Sequence, residues 1–301
     1  MSTKTLTPSA KPVTVRDSKG RKFLEVVESA YNKALLNDEE AQRVNEAGGL
    51  NDLIANYIAE HRLTDKFADE QVSSTWTYHK ESKAPRPIEY QVQTLATIFG
   101  LDPAQALAYA KNLPQQLPDG AEGWFAILSP SALFWEIKDP AERYCRSVQL
   151  AHEKIKASRS FYNYREGQID VAHLRVHPRT AEMVSQIAEQ QKGGILIVAA
   201  QLGMSHRGQS TRRAREVFKP NEYGLGSLAG CSIVLVHPER LVRYEELDMD
   251  LPGDEFNHPV GDAPFAYAPY LYCRDGKVSF DTEHVGRPDQ RYGSGSGFVP
   301  Q

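Results

Sequence analysis

The apolar run ILIVAAQL (195–202) constrains the fold of this chain more than any other stretch. Its apolar residues do not alternate with polar ones, which is typical of a strand buried on both faces of a sheet. The turn GMSHRGQST, the short helical pattern STRRAREVF and a second apolar run, CSIVLV, follow it. We therefore predict strand 195–202, helix 210–218 and strand 231–236 as a βαβ unit.

Further elements are predicted around this unit. Asp139-Pro140 opens a long helix, because Asp caps free amides and Pro suits the first helical position. His177-Pro178 opens another helix, which ends before Gly193-Gly194. Near the C-terminus, YLYC and KVSF are joined by Arg274-Asp275-Gly276, which predicts a hairpin with a tight turn.

The N-terminal third has a helical period instead. Three apolar faces follow one another, around Phe23 to Ala34, Leu53 to Ile58 and Ile88 to Phe99, and Asp102-Pro103 starts a further helix. The stretch LPQQLPDGAEG then marks a boundary. We predict a flexible arm (1–19), a helical module (20–113) and an α/β-type domain (114–301) with a small mixed sheet, in an α+β or α/β fold. The polar loop 63–87 is predicted to be mobile or to face a partner.

Composition narrows the class of protein. The 301 residues carry a net charge of −4, which argues against general attraction to nucleic acid or membranes and leaves only a local basic patch. No apolar run is long enough for a membrane span, and the first residues lack a signal-peptide core, so we expect a cytoplasmic protein without membrane contact. We interpret Cys145, Cys231 and Cys273 as reduced, buried thiols, and predict neither a metal site nor a cofactor.

GMSHRGQST, residues 203–211, resembles a phosphate-binding loop in its glycine spacing. It follows a predicted strand and precedes a predicted helix, so backbone amides and the helix dipole would point at an anion. Gln209 stands where such loops carry Lys, which argues against nucleotide hydrolysis and leaves an anion site or a plain connection. The ligand-binding residues predicted here are Gly203, His206, Arg207, Gly208 and Ser210.

A basic helix follows this loop at 207–219. Arg212, Arg213 and Arg215 would form a positive patch, interpreted either as a solvated face or as a row of phosphate contacts. In SRSFYNYRE (158–166), Tyr162 and Tyr164 alternate with Arg, which favours either base stacking or packing on the core. The first hypothesis is therefore a soluble binding protein for phosphate-bearing ligands, with single-stranded nucleic acid or RNA as the expected partner.

Two alternatives remain open. One is an enzyme acting on a phosphorylated or nucleotide-like small molecule, with His206, Glu222 and His237 as candidate acid–base residues. The other is a structural or assembly protein whose helical module binds a partner chain or a second copy. No spacing of residues specifies a reaction, so the sequence does not decide whether the chain is an enzyme.

Overall fold

A computed structural model describes residues 16, 18–60, 66–79, 84–261 and 263–299. The chain divides into two compact units, residues 1–62 and residues 63–301. Most of the predicted arm, residues 1–15 and 17, lies outside the described residues. Within the described part, no helix has the length and apolar character needed to cross a membrane.

Helices and strands alternate irregularly in the second unit, whereas the first contains helices only over its described residues. The helices are α1 (Ser18–Lys33), α2 (Asp38–Glu46), α3 (Leu50–Glu60), α4 (Ile88–Phe99), α5 (Ala104–Ala110), α6 (Pro140–Ser158), α7 (Pro178–Gln191), α8 (Thr211–Val217) and α9 (Ser227–Val236). The strands are β1 (Gly123–Leu128), β2 (Phe161–Asn163), β3 (Leu174–Val176), β4 (Ile195–Gln201), β5 (Glu222–Gly224), β6 (Asp248–Asp250), β7 (Asp254–Phe256), β8 (Tyr267–Arg274), β9 (Lys277–His284), β10 (Tyr292–Ser294) and β11 (Ser296–Phe298).

The first unit contains α1, α2 and α3. Helix α2 begins at a capping box, in which the Asn37 side chain accepts from the amide of Glu40 and the Glu40 carboxylate accepts from the amide of Asn37. No side chain described between residues 18 and 60 is buried. The apolar faces predicted from the helical period therefore exist, but the described part of this unit has no core.

A four-stranded sheet forms the centre of the second unit, in the order β1-β4-β11-β5. Every residue of β4 is buried, as its sequence predicts. Two core clusters account for this burial: Ile195 and Ile197 pack with α4 and α5, whereas Leu196 and Val198 pack with α6 and α9. Helices therefore cover both faces of the sheet, and its neighbouring strands are antiparallel to β4.

The prediction of a strand at 231–236 is wrong, because these residues belong to α9. All of α9 is buried, so its sequence has no polar face and no helical period to distinguish it from a buried strand. After α8 the chain instead enters β5, which lies parallel to β4, with β11 inserted between them and antiparallel to both. The expected βαβ unit is thus present in a split form, with its second strand at 222–224.

Seven strands form the second sheet, which is mixed. Strands β10 and β6 are parallel, as are β2 and β9, and the remaining pairs are antiparallel. The predicted hairpin is β8 and β9, and both turn residues, Asp275 and Gly276, have positive φ. N-terminal helices followed by a sheet-containing domain confirm the α+β class.

The contacts place α4 and α5 in the second unit, whereas the sequence assigned them to the helical module ending at 113. They pack on β1 and β4, so a helical period alone did not reveal which unit they join. Residues 66–79, here termed the strap, lie within the loop predicted to be mobile or partner-facing. The strap runs along the second unit, where Val72 donates to the carbonyl of Gly208 and Leu247 donates to that of Thr77.

Candidate functional site

The phosphate-loop-like stretch 203–211 has its backbone amides occupied by the protein itself. The amide of Gly208 donates to the carbonyl of Tyr292 at 2.8 Å, and the amide of Ser210 donates to the carbonyl of Glu70 at 3.0 Å. Ser210 caps α8 by accepting from the amide of Arg213. The amide donors that a phosphate would need are therefore already paired at these positions.

An anion does lie at this loop, and it is the carboxylate of Glu70 in the strap. Ser210 donates its hydroxyl hydrogen to Glu70 Oε2 at 2.7 Å, and Arg212 Nε lies 2.8 Å from the same oxygen. The hydrogen bond from Arg212 is the largest influence on the pKa of Glu70 and holds it below its ordinary value. The sequence pattern thus corresponds to a carboxylate site that the chain fills from within.

The other arginines of the predicted basic helix also donate to protein oxygens. Arg213 donates to the carbonyl of Lys66 at 2.7 Å. Arg215 is half-buried and donates to the carbonyls of Pro252 and Asp254, while Arg207 donates to that of Trp76 at 3.2 Å. Each of these arginines thus makes at least one hydrogen bond within the chain.

The two glycines of the motif are required by close backbone approach. A Cβ at Gly208, whose φ is +75°, would lie 2.2 Å from the carbonyl oxygen of Val72. A Cβ at Gly203 would lie 2.7 Å from the carbonyl oxygen of Gly293. These positions therefore allow the strap and β10 to pack against the loop.

His206 and Glu222, two of the predicted acid–base residues, do meet. His206 Nε2 lies 2.7 Å from Glu222 Oε1, and Ser296 donates to that same oxygen at 2.5 Å. Burial alone would raise the pKa of Glu222, but the hydrogen bond and charge of His206 bring it below its ordinary value. Both side chains are buried, and neither lines the cavity described below. The pair joins β5, β11 and the 203–211 loop.

Tyr162 and Tyr164 lie on β2 and just beyond it, in the seven-stranded sheet. Both are exposed, and their rings meet edge to face with centroids 4.6 Å apart. Base stacking by these rings stays a prediction. They lie at β2 of the seven-stranded sheet, whereas the loop at 203–211 follows β4 of the four-stranded sheet. Among the described residues, no group of three or more His, Cys, Asp or Glu could hold a metal ion.

His237, the third predicted acid–base residue, lines a cavity of about 310 Å³ in the second unit. The cavity lies beyond the carboxyl end of β4, beside β1 and the end of α9. Its walls comprise four charged or titratable side chains besides His237 and a set of apolar ones. The lining residues are Tyr78, Ala84, Pro85, Glu122, Phe125, Leu202, Met204, His237, Glu239 and Arg240.

Arg240 is the most unusual of these residues. Its side chain is buried, and none of its three guanidinium nitrogens has a hydrogen-bond partner within the described part of the chain. The guanidinium carbon lies 3.8 Å from the centre of the Tyr78 ring, so the group stacks on the strap. Stacking holds the plane of the cation but satisfies none of its N–H donors.

Glu122 and Tyr78 form a hydrogen-bonded pair in the same wall. Tyr78 donates to Glu122 Oε1 at 2.7 Å, and the amide of Leu202 donates to Oε2 at 3.3 Å. Burial raises the pKa of Glu122 above its ordinary value, and the charge of Arg240 opposes that rise. Burial, together with the neighbouring Glu122 charge, raises the pKa of Tyr78 well above its ordinary value, so Tyr78 is a neutral donor.

His237 is held in one orientation by its neighbours. Its Nε2 accepts from the amide of Arg86 at 3.1 Å, and its Nδ1 lies 3.1 Å from the carbonyl oxygen of Ile233. These partners require a proton on Nδ1 alone, which is the neutral ring. Burial also lowers the pKa of His237. Glu239 on the rim is paired with Arg86 at 2.8 Å. Among the cavity-lining residues that the structure describes, Arg240 is the cation without a hydrogen-bond partner for its guanidinium group.

The sequence analysis proposed His237 as an acid–base residue but did not single out Arg240. Tyr78 lies in a polar loop and Glu122 in the stretch interpreted as a boundary, and no spacing connects either with Arg240. The one available signal was the position of VHPER after an apolar run. No protein-family model matches the chain, and comparisons with curated proteins and with solved structures gave no significant match either.

Proposed function

We propose that this chain binds a small anionic molecule, a carboxylate or a phosphate ester, in the cavity around Arg240. The observation that supports the proposal is Arg240 itself, a residue that is 3% exposed and whose guanidinium nitrogens lack a hydrogen-bond partner among the described residues. Leaving an ion unpaired in a protein interior costs about 3–5 kcal/mol. A bound oxyanion would remove that cost, and the planar fork of Arg suits both carboxylate and phosphate.

The walls define the rest of the ligand. Phe125, Leu202 and Met204 supply apolar surface, and the cavity volume of about 310 Å³ suits a molecule the size of a small metabolite. Glu122 and Tyr78 lie beside the cation. The expected ligand therefore has one anionic group, a small apolar or aromatic body, and an atom able to share a hydrogen bond with these two side chains.

This proposal keeps the predicted class of phosphate-bearing ligands and moves the site from 203–219 to Arg240. The alternative of an enzyme acting on a phosphorylated small molecule fits the same cavity, because the predicted acid–base residue His237 lines it. Nucleic-acid binding by the basic helix stays a prediction, as do a partner chain for the helical module and a cytoplasmic location.

The proposal is tested by thermal unfolding of the full chain with sulfate, phosphate, benzoate and adenosine monophosphate, each at about 10 mM. A ligand present at about 100 times its Kd stabilises the fold by about 2.7 kcal/mol. We expect at least one of these anions to raise the Tm and Arg240→Met to abolish the rise. The matched control is Arg243→Met, because Arg243 is exposed and lies outside the cavity.

The same variant gives a second readout. Since Arg240→Met replaces a buried, unpartnered cation by an apolar chain of similar length, the ligand-free protein should become more stable, by about 1–4 kcal/mol. A structural arginine would show the opposite change. If none of the four anions changes the Tm, and Arg240→Met destabilises the protein, the proposal is wrong.

A further inference from the structure

Two ionisable groups of opposite charge border the Arg240 cavity without forming an ion pair. Glu122 is bonded to Tyr78, and Arg240 stacks on the ring of that same tyrosine. No salt bridge joins Glu122 to Arg240 in the described structure. Tyr78 therefore contacts both the half-buried carboxyl group of Glu122 and the cation of Arg240.

Each group that faces Glu122 has a defined effect on its charge. The strap contributes the Tyr78 hydroxyl, and the chain after β4 contributes the amide of Leu202, and both donate to the carboxylate. From the end of α9, Arg240 favours the ionised form. His237 is neutral, and the Glu239 charge is paired with Arg86. Within the described part of the chain, Arg240 supplies the positive charge that, beside these hydrogen bonds, favours ionised Glu122.

An anion bound to Arg240 weakens the electrostatic stabilisation of ionised Glu122. Its charge cancels the field of the guanidinium group and places a second negative charge in the cavity that Glu122 borders. Two negative charges at close range in a buried site do not both persist, so the weaker acid takes up a proton. Tyr78 does not supply this proton near neutral pH, because its raised pKa keeps the hydroxyl neutral there.

We infer that an anion bound to Arg240 enters together with one proton from solvent, which Glu122 takes up. This inference rests on the proposed function. The step joins an ionised Glu122, a ligand anion and a solvent proton into one complex, and no bond of the ligand breaks. Protonated Glu122 can donate its O–H hydrogen, so the favoured ligands are oxyanions with an oxygen that accepts this hydrogen bond.

The test measures benzoate binding by isothermal titration calorimetry from about pH 5.5 to 8. Carboxylic acids titrate near about pH 4, so benzoate keeps its charge across this range. We expect the affinity to fall as pH rises, by up to about tenfold per pH unit. Titrations in two buffers of different ionisation enthalpy should show uptake of about one proton per benzoate bound.

Glu122→Gln is the decisive variant. Gln retains an oxygen that accepts from Tyr78 but does not titrate, so benzoate binding should persist and become independent of pH. Tyr78→Phe provides a second variant if Glu122→Gln does not fold. It removes a donor to the carboxylate, which makes Glu122 easier to protonate, and the fall in affinity should then move to higher pH.

The outcomes separate this inference from the proposed function. Benzoate binding that depends on Arg240 but not on pH overturns proton uptake and leaves the anion site in place. A pH dependence that survives in Glu122→Gln and disappears in His237→Asn assigns the proton to His237 and also overturns it. Absence of binding for sulfate, phosphate, benzoate and adenosine monophosphate, at every pH, overturns both.

Discussion

The two units of this chain contain helices with similar apolar periods and opposite environments. In α3 of the first unit, Leu53 is 68% exposed and Tyr57 is 54% exposed. In α4 of the second unit, Val92 and Leu95 are both 0% exposed, because β1 and β4 cover that helix face. An amphipathic pattern thus predicts a helix and its apolar face, but does not predict whether anything covers that face.

The two units also differ in how many polar side chains they bury. The second unit buries carboxylates, an arginine and histidines, and some of their polar atoms have no hydrogen-bond partner among the residues described there. The described residues of the first unit bury no side chain. Buried, unsatisfied charge can be maintained only where a core fixes the surrounding backbone, so the site lies in the unit that has the core.

The largest expected effect comes from truncating one apolar side chain in each unit. Leu95→Ala should reduce the free energy of unfolding by about 2–5 kcal/mol, because it leaves a cavity in a packed core. Leu53→Ala should change it by less than about 0.5 kcal/mol, since the side chain is exposed. Urea unfolding followed by circular dichroism measures both. Equal losses of unfolding free energy would mean that another surface covers α3 in solution, so that the two helices do not differ in burial.

A second prediction concerns how the stability of the second unit depends on pH through Asp248. Burial raises the pKa of Asp248 in β6 to about 8. The folded state therefore binds a proton there more tightly than the unfolded state, so the contribution to stability is greatest below about pH 4 and declines as pH rises to 8. Asp248→Asn should flatten that decline, because the side chain no longer titrates. Asp275→Asn, in an exposed turn, is the control and should leave the slope unchanged.

A variant in the strap should lower the free energy of unfolding by a smaller amount. Glu70→Gln removes the charge that binds Arg212 and should cost about 1–2 kcal/mol. Because the pKa of Glu70 is lowered, its contribution is present above the unfolded value and is lost as pH falls through the folded value. Hydrogen exchange should quicken at the amides of 208–213. Asp69→Asn, next to it and exposed, should leave exchange unchanged.

The smallest effects are expected at helix caps. Asp139 accepts from the amide of Ala141 at the start of α6, and Asp139→Ala should lower the stability of the second unit by about 1 kcal/mol. Asn37→Ala removes the corresponding cap of α2 and should reduce helical content locally. It should not move the main unfolding transition, measured by tryptophan fluorescence. A shared loss of stability would show that the two units unfold as one.

The sequence predicted much of the fold because local chemistry decides it. Asp139 and Pro140 begin α6, and the Asp275-Gly276 turn connects β8 and β9, since capping and positive φ depend on neighbouring residues only. The continuous apolar run at β4 correctly predicted a strand buried on both faces. Where burial is complete on all sides, as in α9, the same reasoning failed, because a helix without a polar face has no period.

Only the tertiary structure determined which partner each charged side chain contacts. Arg212 could have contacted phosphate or solvent, and it contacts Glu70, which is 142 positions away in the chain. In sequence, Arg240 resembles basic neighbours such as Arg243. In the structure, Arg240 lines a cavity with Tyr78 and Glu122, and Arg243 does not. Charge and residue type are properties of the sequence. Whether a charge finds a partner depends on which distant segments pack against it, and local physics does not determine this.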